Sequence, residues 1–410
     1  MEYTKGLPTG SLFREWAAIG TISGALTRRV WIRTSFQMPP LFPNLFILLT
    51  GDPGTGKDIA MGVSERLWFQ SALGDATEYQ LNLGSLSLSA KGLVDAFVAD
   101  KARQVLELPG KPNTYFHSVL LCAGELGTLM PEYNAALASM FCETYNCGPR
   151  IDDQIRNGTG QPIEAENPHI AMILGTQPAF LASAFPEEAY GMGFFSRLNL
   201  AFEPNLHRKP LYLITPDEIL KKLETEAKNM WSKLVSDLRI ILRLAGEFTV
   251  PLPVRHLIND FHMTECDETA PTHPRFKDYN IRRSLHAQKL AMCFSVARSS
   301  SLIIEEEDWH RALDLLLRTE SRLPAIFADV STSHGFHNSV EEVVHSAKTE
   351  GSTISERQIV KQLRKRHKVY EIKPIIQSMI DGGELKELKS STSGRTFRLT
   401  KAGAKLKLVK

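Results

Sequence analysis

Residues 45–57, LFILLTGDPGTGK, limit this chain more than any other stretch. A short apolar run with almost no polar break reads as a strand buried on both faces of a parallel sheet. The glycines that follow at Gly51, Gly54 and Gly56, then Lys57 and a helical pattern, satisfy GxxxxGK in the strand–loop–helix setting that gives the motif meaning. Glycines let backbone N–H groups converge on phosphate oxygens. The lysine adds a positive charge, and the helix N-terminus favours the anion. Gly51, Asp52, Pro53, Gly54, Thr55, Gly56, Lys57 and Asp58 are therefore the candidate nucleotide-binding residues, with ATP and Mg2+ as the implied ligands.

Two positions depart from the usual pattern. The residue after the lysine is ordinarily Ser or Thr, whose hydroxyl binds magnesium; here it is Asp58. The expected strand SVLLCA (118–123) leads into Gly124–Glu125, where an aspartate–glutamate pair is expected. Glu125 is suited to orient or deprotonate an attacking water. Magnesium takes one or two carboxylates besides waters and phosphates, so Asp58 is the candidate metal ligand that restores the carboxylate missing at 124. The competing reading is a degenerate site that does not hydrolyse, because a carboxylate beside phosphates is repelled unless a metal lies between.

Further buried strands are predicted at 169–175 and 198–202 with helices between them, which implies an α/β fold with a parallel sheet. Residues 11–29 read as an amphipathic helix capped by Ser11. After Pro210 the pattern is helical over 216–243 and 280–325, and 331–337 reads as a linker. The expected division is an N-terminal helical segment (1–44), a P-loop core (45–210), a helical lid (211–330) and a C-terminal domain (338–410).

GDPGTGK followed by an apolar strand ending in an acidic residue resembles the minichromosome-maintenance helicases, a branch of the AAA+ motors. Three later stretches agree in order: IAMILGTQP (170–178), FFSRLNLAF (194–202), and NIRRSLHAQKLAM (280–292) followed by IIEEEDWHRALDLL. The chain is also similar to phage, plasmid and prophage ATPases that carry a segment like ALTRRVWI (25–32) before the P-loop. The resemblance spans about residues 25–325 and implies an AAA+ core with a helical lid. It assigns Gln177, where the family usually has Asn, to the sensor strand, and Arg197 to a finger reaching a neighbouring subunit's nucleotide. Arg283, with Arg282 as the alternative, becomes the lid's second sensor arginine. A trans arginine stabilises phosphoryl-transfer charge and implies a ring, by resemblance a hexamer. The resemblance does not extend to the family's large N-terminal DNA-binding domain.

Charge distribution points to DNA. The net charge is +2; residues 361–410 carry 14 Lys/Arg and 4 Asp/Glu, net +10, leaving 2 − 10 = −8 for the rest. The tail reads as helices at 338–349, 354–367 and 371–381, then strand, turn and strand. That pattern resembles a winged helix, with a wing tip at Ser390–Gly394 flanked by Lys386, Lys389, Arg395 and Arg398. A hairpin signal at 148–162 places Arg150 and Arg156 as further candidate DNA contacts.

Five cysteines without a CxxC pair suit a reducing compartment. The first residues lack a signal-peptide pattern, and no apolar run approaches the ~18–20 residues of a membrane span. The expected location is the cytoplasm, that of the host if a phage encodes the chain. The sequence leaves three functions open: an ATP-driven, ring-forming DNA helicase or translocase of a replication module; a non-hydrolysing, nucleotide-dependent DNA-binding assembly protein; and an ATPase that loads other proteins on DNA.

Overall fold

The apolar runs form the strands they predict. In the computed structural model, helix α1 (Ser11–Leu26) precedes strand β1 (Phe46–Thr50) and helix α2 (Lys57–Ala72). Then come α3 (Ala90–Val98), β2 (Arg103–Leu106), β3 (Thr114–Ala123), α4 (Ala135–Tyr145), the hairpin β4 (Arg150–Asp153) and β5 (Ile163–Glu166), β6 (Pro168–Thr176), α5 (Pro178–Ala184) and β7 (Leu198–Phe202). The helices α6 (Asp217–Leu242), α7 (Arg283–Arg298), α8 (Glu306–Glu320) and α9 (Leu323–Thr332) follow. The structure describes residues 2–72, 81–84, 89–153, 163–191, 193–212, 214–332, 353–363, 376, 380, 385–391 and 394–399.

The chain is a mixed α/β protein whose five-stranded sheet has the order β2-β3-β6-β1-β7. Strands β3, β6, β1 and β7 are parallel, while β2 runs antiparallel at the edge. All residues of β1, β6 and β7 are buried, as continuous apolar runs require in a sheet covered on both faces. Alternate side chains divide between two cores. Ile47, Leu49 and Ile173 pack with α1, α2 and the later helices, whereas Phe46, Leu48 and Met172 pack with α3 and α4. Helix α1 lies close to the sheet because small residues face it. A Cβ on Gly20 would sit 2.7 Å from Ile173 Cδ1, and one on Gly24 would sit 2.7 Å from the Trp68 ring.

Several expectations need correction. Helix α1 starts after Gly10, not with Ser11 as its cap, and the Glu203 carboxylate accepts the Leu12 N–H at 3.2 Å. It ends at Leu26, since Thr27 takes a left-handed φ of 52°. Arg28 and Arg29 beyond it serve structure: Arg28 donates to the carbonyls of Cys147, Gly148 and Pro168, and Arg29 to Leu242 O and Gln104. Strand β2 had no alternating pattern to announce it. Leu83 adds a parallel bridge to Leu120 on the same side of β3. The helical stretch 280–325 is interrupted before Glu306, where Glu305 and Asp308 form a reciprocal capping box.

Residues 1–327 form one compact unit and 328–410 a second. Of the expected linker 331–337, residues 331 and 332 end α9 and the rest lie outside the described residues. In the second unit β8 (Thr353–Ser355) precedes α10 (Glu356–Leu363), so the helix predicted from 354 begins two residues later, after a strand. Strands β9 (Leu385–Ser391) and β10 (Gly394–Leu399) complete an antiparallel sheet of order β8-β10-β9. Ile359, Ile376 and Phe397 are buried there. The helix expected at 338–349, and that at 371–381 apart from Ile376 and Ile380, fall outside the described residues. Among the described residues no helix is long and apolar enough to cross a membrane.

Candidate functional site

The register brings the C-terminal ends of the parallel strands together: Thr50 pairs with Thr176 and with Phe202, and Ala123 with Leu174. In open α/β sheets this rim is where ligands bind. Loop 51–56 leaves β1 there and delivers Lys57 as the first residue of α2. Gly54 and Gly56 have φ of 84° and 87°, which disfavours a side chain. Gly56 is constrained further, since a Cβ would overlap the Pro8 carbonyl and lie 2.8 Å from Thr9 Cα. The Gly51 N–H donates to Thr176 O at 3.2 Å, fixing the loop to β6.

Lys57 is folded back onto the loop. Its ammonium donates to Gly51 O at 2.5 Å and to Asp52 O at 3.2 Å, and the side chain is buried. Burial lowers its pKa from the ordinary lysine value, while the carboxylates of Glu125, Asp58 and Asp52 oppose that shift. Three acids, from the loop, from α2 and from the end of β3, therefore act on one buried cation. Glu125 follows β3 and is exposed; Gln177 follows β6 and donates from Nε2 to Glu125 Oε1 at 3.5 Å. Gly51–Asp58, Glu125 and Gln177 thus lie together at one rim: a glycine-containing loop, a buried ammonium folded onto it, and an acid and an amide beside them.

Asp58 lies in the first turn of α2 and reaches across to β3. A Cβ built on Gly124 would be 2.7 Å from Asp58 Oδ1. The Asp58 carboxylate therefore occupies the space that a side chain at 124 would enter. Among the described residues no group of three or more His, Cys, Asp or Glu is arranged to hold a metal. A magnesium bound with a nucleotide needs fewer protein ligands, since phosphates and waters fill most of its octahedron. One carboxylate at the loop fits that demand.

The expected arginines separate. Arg197 precedes β7 and so stands at the opposite end of that strand from the loop, ~17 Å away for five residues at ~3.3 Å each. It is buried, donates to Gly193 O at 2.8 Å and Asn146 Oδ1 at 3.4 Å, and lies over the Tyr145 ring. Arg282 joins it by donating from Nε to Ser196 Oγ at 3.0 Å. Burial lowers the Arg197 pKa, with Cys142 opposing and Arg282 adding to the shift. Arg283, the first choice for a sensor, has a different role. It is fully buried, forms a 2.6 Å ion pair with Glu320, and donates to Thr269 and the Cys266 carbonyl. Burial works against its charge, but the hydrogen bonds and field of Glu320 hold its pKa above the usual arginine value. With its guanidinium committed in this way, Arg283 is a structural residue.

Sequence reasoning missed a second wall of the site. Glu203, just after β7, takes the Leu12 N–H on one carboxylate oxygen and Arg322 at 2.8 Å on the other. Its backbone oxygen would lie 2.8 Å from a Cβ on Gly51. Leu206 would touch a Cβ on Gly54, and Thr9, against Gly56, buries a hydroxyl that has no hydrogen-bond partner. The position of Glu203 immediately after a buried strand was the available signal, and nothing local marks Thr9 or Arg322.

The other candidate contacts are dispersed. Arg150 is exposed on β4, 3.8 Å from Glu164 across the hairpin, while Arg156 lies outside the described residues. In the second unit Lys386 and Arg398 are exposed. Arg395 forms a bidentate pair with Glu387 at 2.8 and 2.9 Å on the surface. Lys389 lies in β9, its side chain outside the described residues. A cavity of about 1250 Å3 opens elsewhere, between α1, α2, α6, α7 and α8. Apolar side chains such as Ile22, Leu67 and Leu238 line much of it, and it contains none of the loop residues.

No protein-family model matches the chain, and no curated protein matches it either.

Proposed function

We propose that the chain is a P-loop ATPase of AAA+ type that assembles into a ring and uses ATP to move on DNA as a helicase or translocase. The observation that carries this reading is the convergence of Gly51–Lys57 with Glu125 and Gln177 at one rim of the sheet. In that reading the loop N–H groups and Lys57 hold the β- and γ-phosphates. Glu125 takes a proton from the attacking water, and the γ-phosphoryl group leaves ADP as inorganic phosphate. Gln177 positions Glu125 and the water. Magnesium, when bound with the nucleotide beside Asp58, supplies charge screening for the phosphates.

Arg197 stands at the far end of β7 from the loop of its own chain, which supports its service to a neighbouring subunit. A hexameric ring follows from the same resemblance. The antiparallel sheet and α10 of the second unit support a winged helix, and exposed Lys386 and Arg398 support phosphate contacts to DNA.

The test is Mg2+-dependent ATP hydrolysis with and without DNA, for wild type, Lys57→Ala and Glu125→Gln. Hydrolysis that rises with DNA and is lost in both variants supports the motor. A second reading, a nucleotide-binding DNA switch that does not hydrolyse, is favoured by the Lys57 ammonium resting on its own loop. It would be supported by tight ATP binding with hydrolysis no greater than in Lys57→Ala.

A further inference from the structure

Positions 58 and 124 lie on different elements and meet in space. Asp58 lies in the first turn of α2, and its Oδ1 is 2.7 Å from where a Cβ on Gly124 would be. An aspartate in the first turn of a helix ordinarily stabilises the helix dipole. Here its charge also acts on the neighbouring Lys57 ammonium, opposing the lowering of the lysine pKa by burial. The backbone at 124 has no room to retreat, because the Gly124 carbonyl is packed against Gly175 so closely that a Cβ there would overlap it. An acid introduced at 124 therefore meets the Asp58 carboxylate directly. Two carboxylates sharing one small space repel, and one of them must then stay protonated or move away.

We infer that Asp58 and position 124 form a single metal-facing site in which one carboxylate is accommodated from either element, but not from both. This rests on the nucleotide-binding reading above and deepens it. The ligand is a divalent cation of the magnesium class, bound with nucleotide phosphates. Asp58 is its protein carboxylate, and its Oδ1 stands where a side chain at 124 would begin.

The inference requires Asp58→Ser and Gly124→Asp to be damaging separately and to compensate when combined. The readout is the affinity for the non-hydrolysable analogue AMP-PNP by calorimetry, in EDTA and in Mg2+, for wild type and variants of the full chain. In wild type Mg2+ tightens binding by about tenfold or more; Asp58→Asn and Asp58→Ser abolish that gain while binding in EDTA persists. Gly124→Asp alone weakens binding in both conditions, since the extra charge faces the phosphates. The double variant Asp58→Ser/Gly124→Asp recovers the Mg2+ gain to within about threefold of wild type. A Gly124→Asp variant with unaltered affinities overturns the inference, as does a double variant that binds in EDTA but shows no Mg2+ gain. If the double variant does not fold, the isosteric Asp58→Asn decides: a retained Mg2+ gain overturns the inference. Lys57→Ala separates the two levels. If it leaves AMP-PNP binding in EDTA unchanged, or if wild type does not bind, the nucleotide reading itself fails and the inference with it.

Discussion

Removing the Arg283 guanidinium leaves the Glu320 carboxylate buried, with the Tyr279 hydroxyl at 2.9 Å as its remaining partner. Breaking a buried pair from one side costs about 3–5 kcal/mol, because the stranded charge keeps its desolvation penalty. Arg283→Ala is expected to lose that much in urea unfolding, whereas Arg282→Ala, at the partly buried helix cap, changes stability little. Comparable losses in the two variants would refute this division of roles. Lys289 gives a second residue-scale prediction. It is buried against Asn44 and the Tyr145 ring, and burial pulls its pKa down to about 7 from 10.5, with Cys147 opposing and Arg197 adding. The unfolded chain then binds the extra proton between about pH 7 and 10.5. Stability linked to this group is present above the unfolded value and is lost as pH falls toward 7. Urea midpoints of wild type are expected to rise from pH 7 to 9 by more than those of Lys289→Met; equal slopes would exclude the assignment.

At the scale of elements, close approach sets the position of α1. A Cβ on Gly24 meets the Trp68 ring at 2.7 Å inside a packed core, so Gly24→Val should cost about 1–3 kcal/mol of overpacking strain. Gly62→Val, where no atom lies within 4 Å of the added Cβ, supplies the comparison. Thermal unfolding that ranks Gly62→Val as the more damaging would contradict the packing described. The same elements explain what was legible in the sequence. Strands β1 and β6 and the second half of β3 are nearly continuous apolar runs, and β7 is broken only by the buried Asn199, a pattern that double-sided burial demands. Strand β2, RQVL with an exposed first residue, carries no such signature, since an edge strand is half solvated. The loop was legible because its residues are contiguous. The contact of Asp58 with position 124 could be suspected from two paired departures, but its distance comes from the fold. The difference between Arg282 and Arg283 was not legible from periodicity, because His286, Lys289 and Cys293 on one face and Ala287 and Leu290 on the other are all buried.

At the scale of the whole molecule, the proposed reading places the loop at one rim of the sheet and Arg197 at the other, so that under this proposal the site would be complete only between copies. If Arg197 serves the next subunit, the heterologous contact closes into a ring. Its absence then disables a neighbour's nucleotide rather than its own. Lys57→Ala and Arg197→Ala should each abolish hydrolysis alone, a trans arginine being worth a factor of roughly 10³ or more. Mixed in equal amounts, the two inactive proteins form interfaces at random. One in every four or so joins an intact loop to an intact arginine, the product of two independent halves. The mixture should therefore recover hydrolysis, rising toward about a quarter of wild type if interfaces act independently. An arginine acting within its own chain gives a different result, because no subunit in the mixture holds both groups. Activity that stays at the level of the separate variants, while light scattering shows that mixed assemblies form, would place the finger elsewhere and return Arg197 to the packing role its bonds to Gly193 and Asn146 already describe.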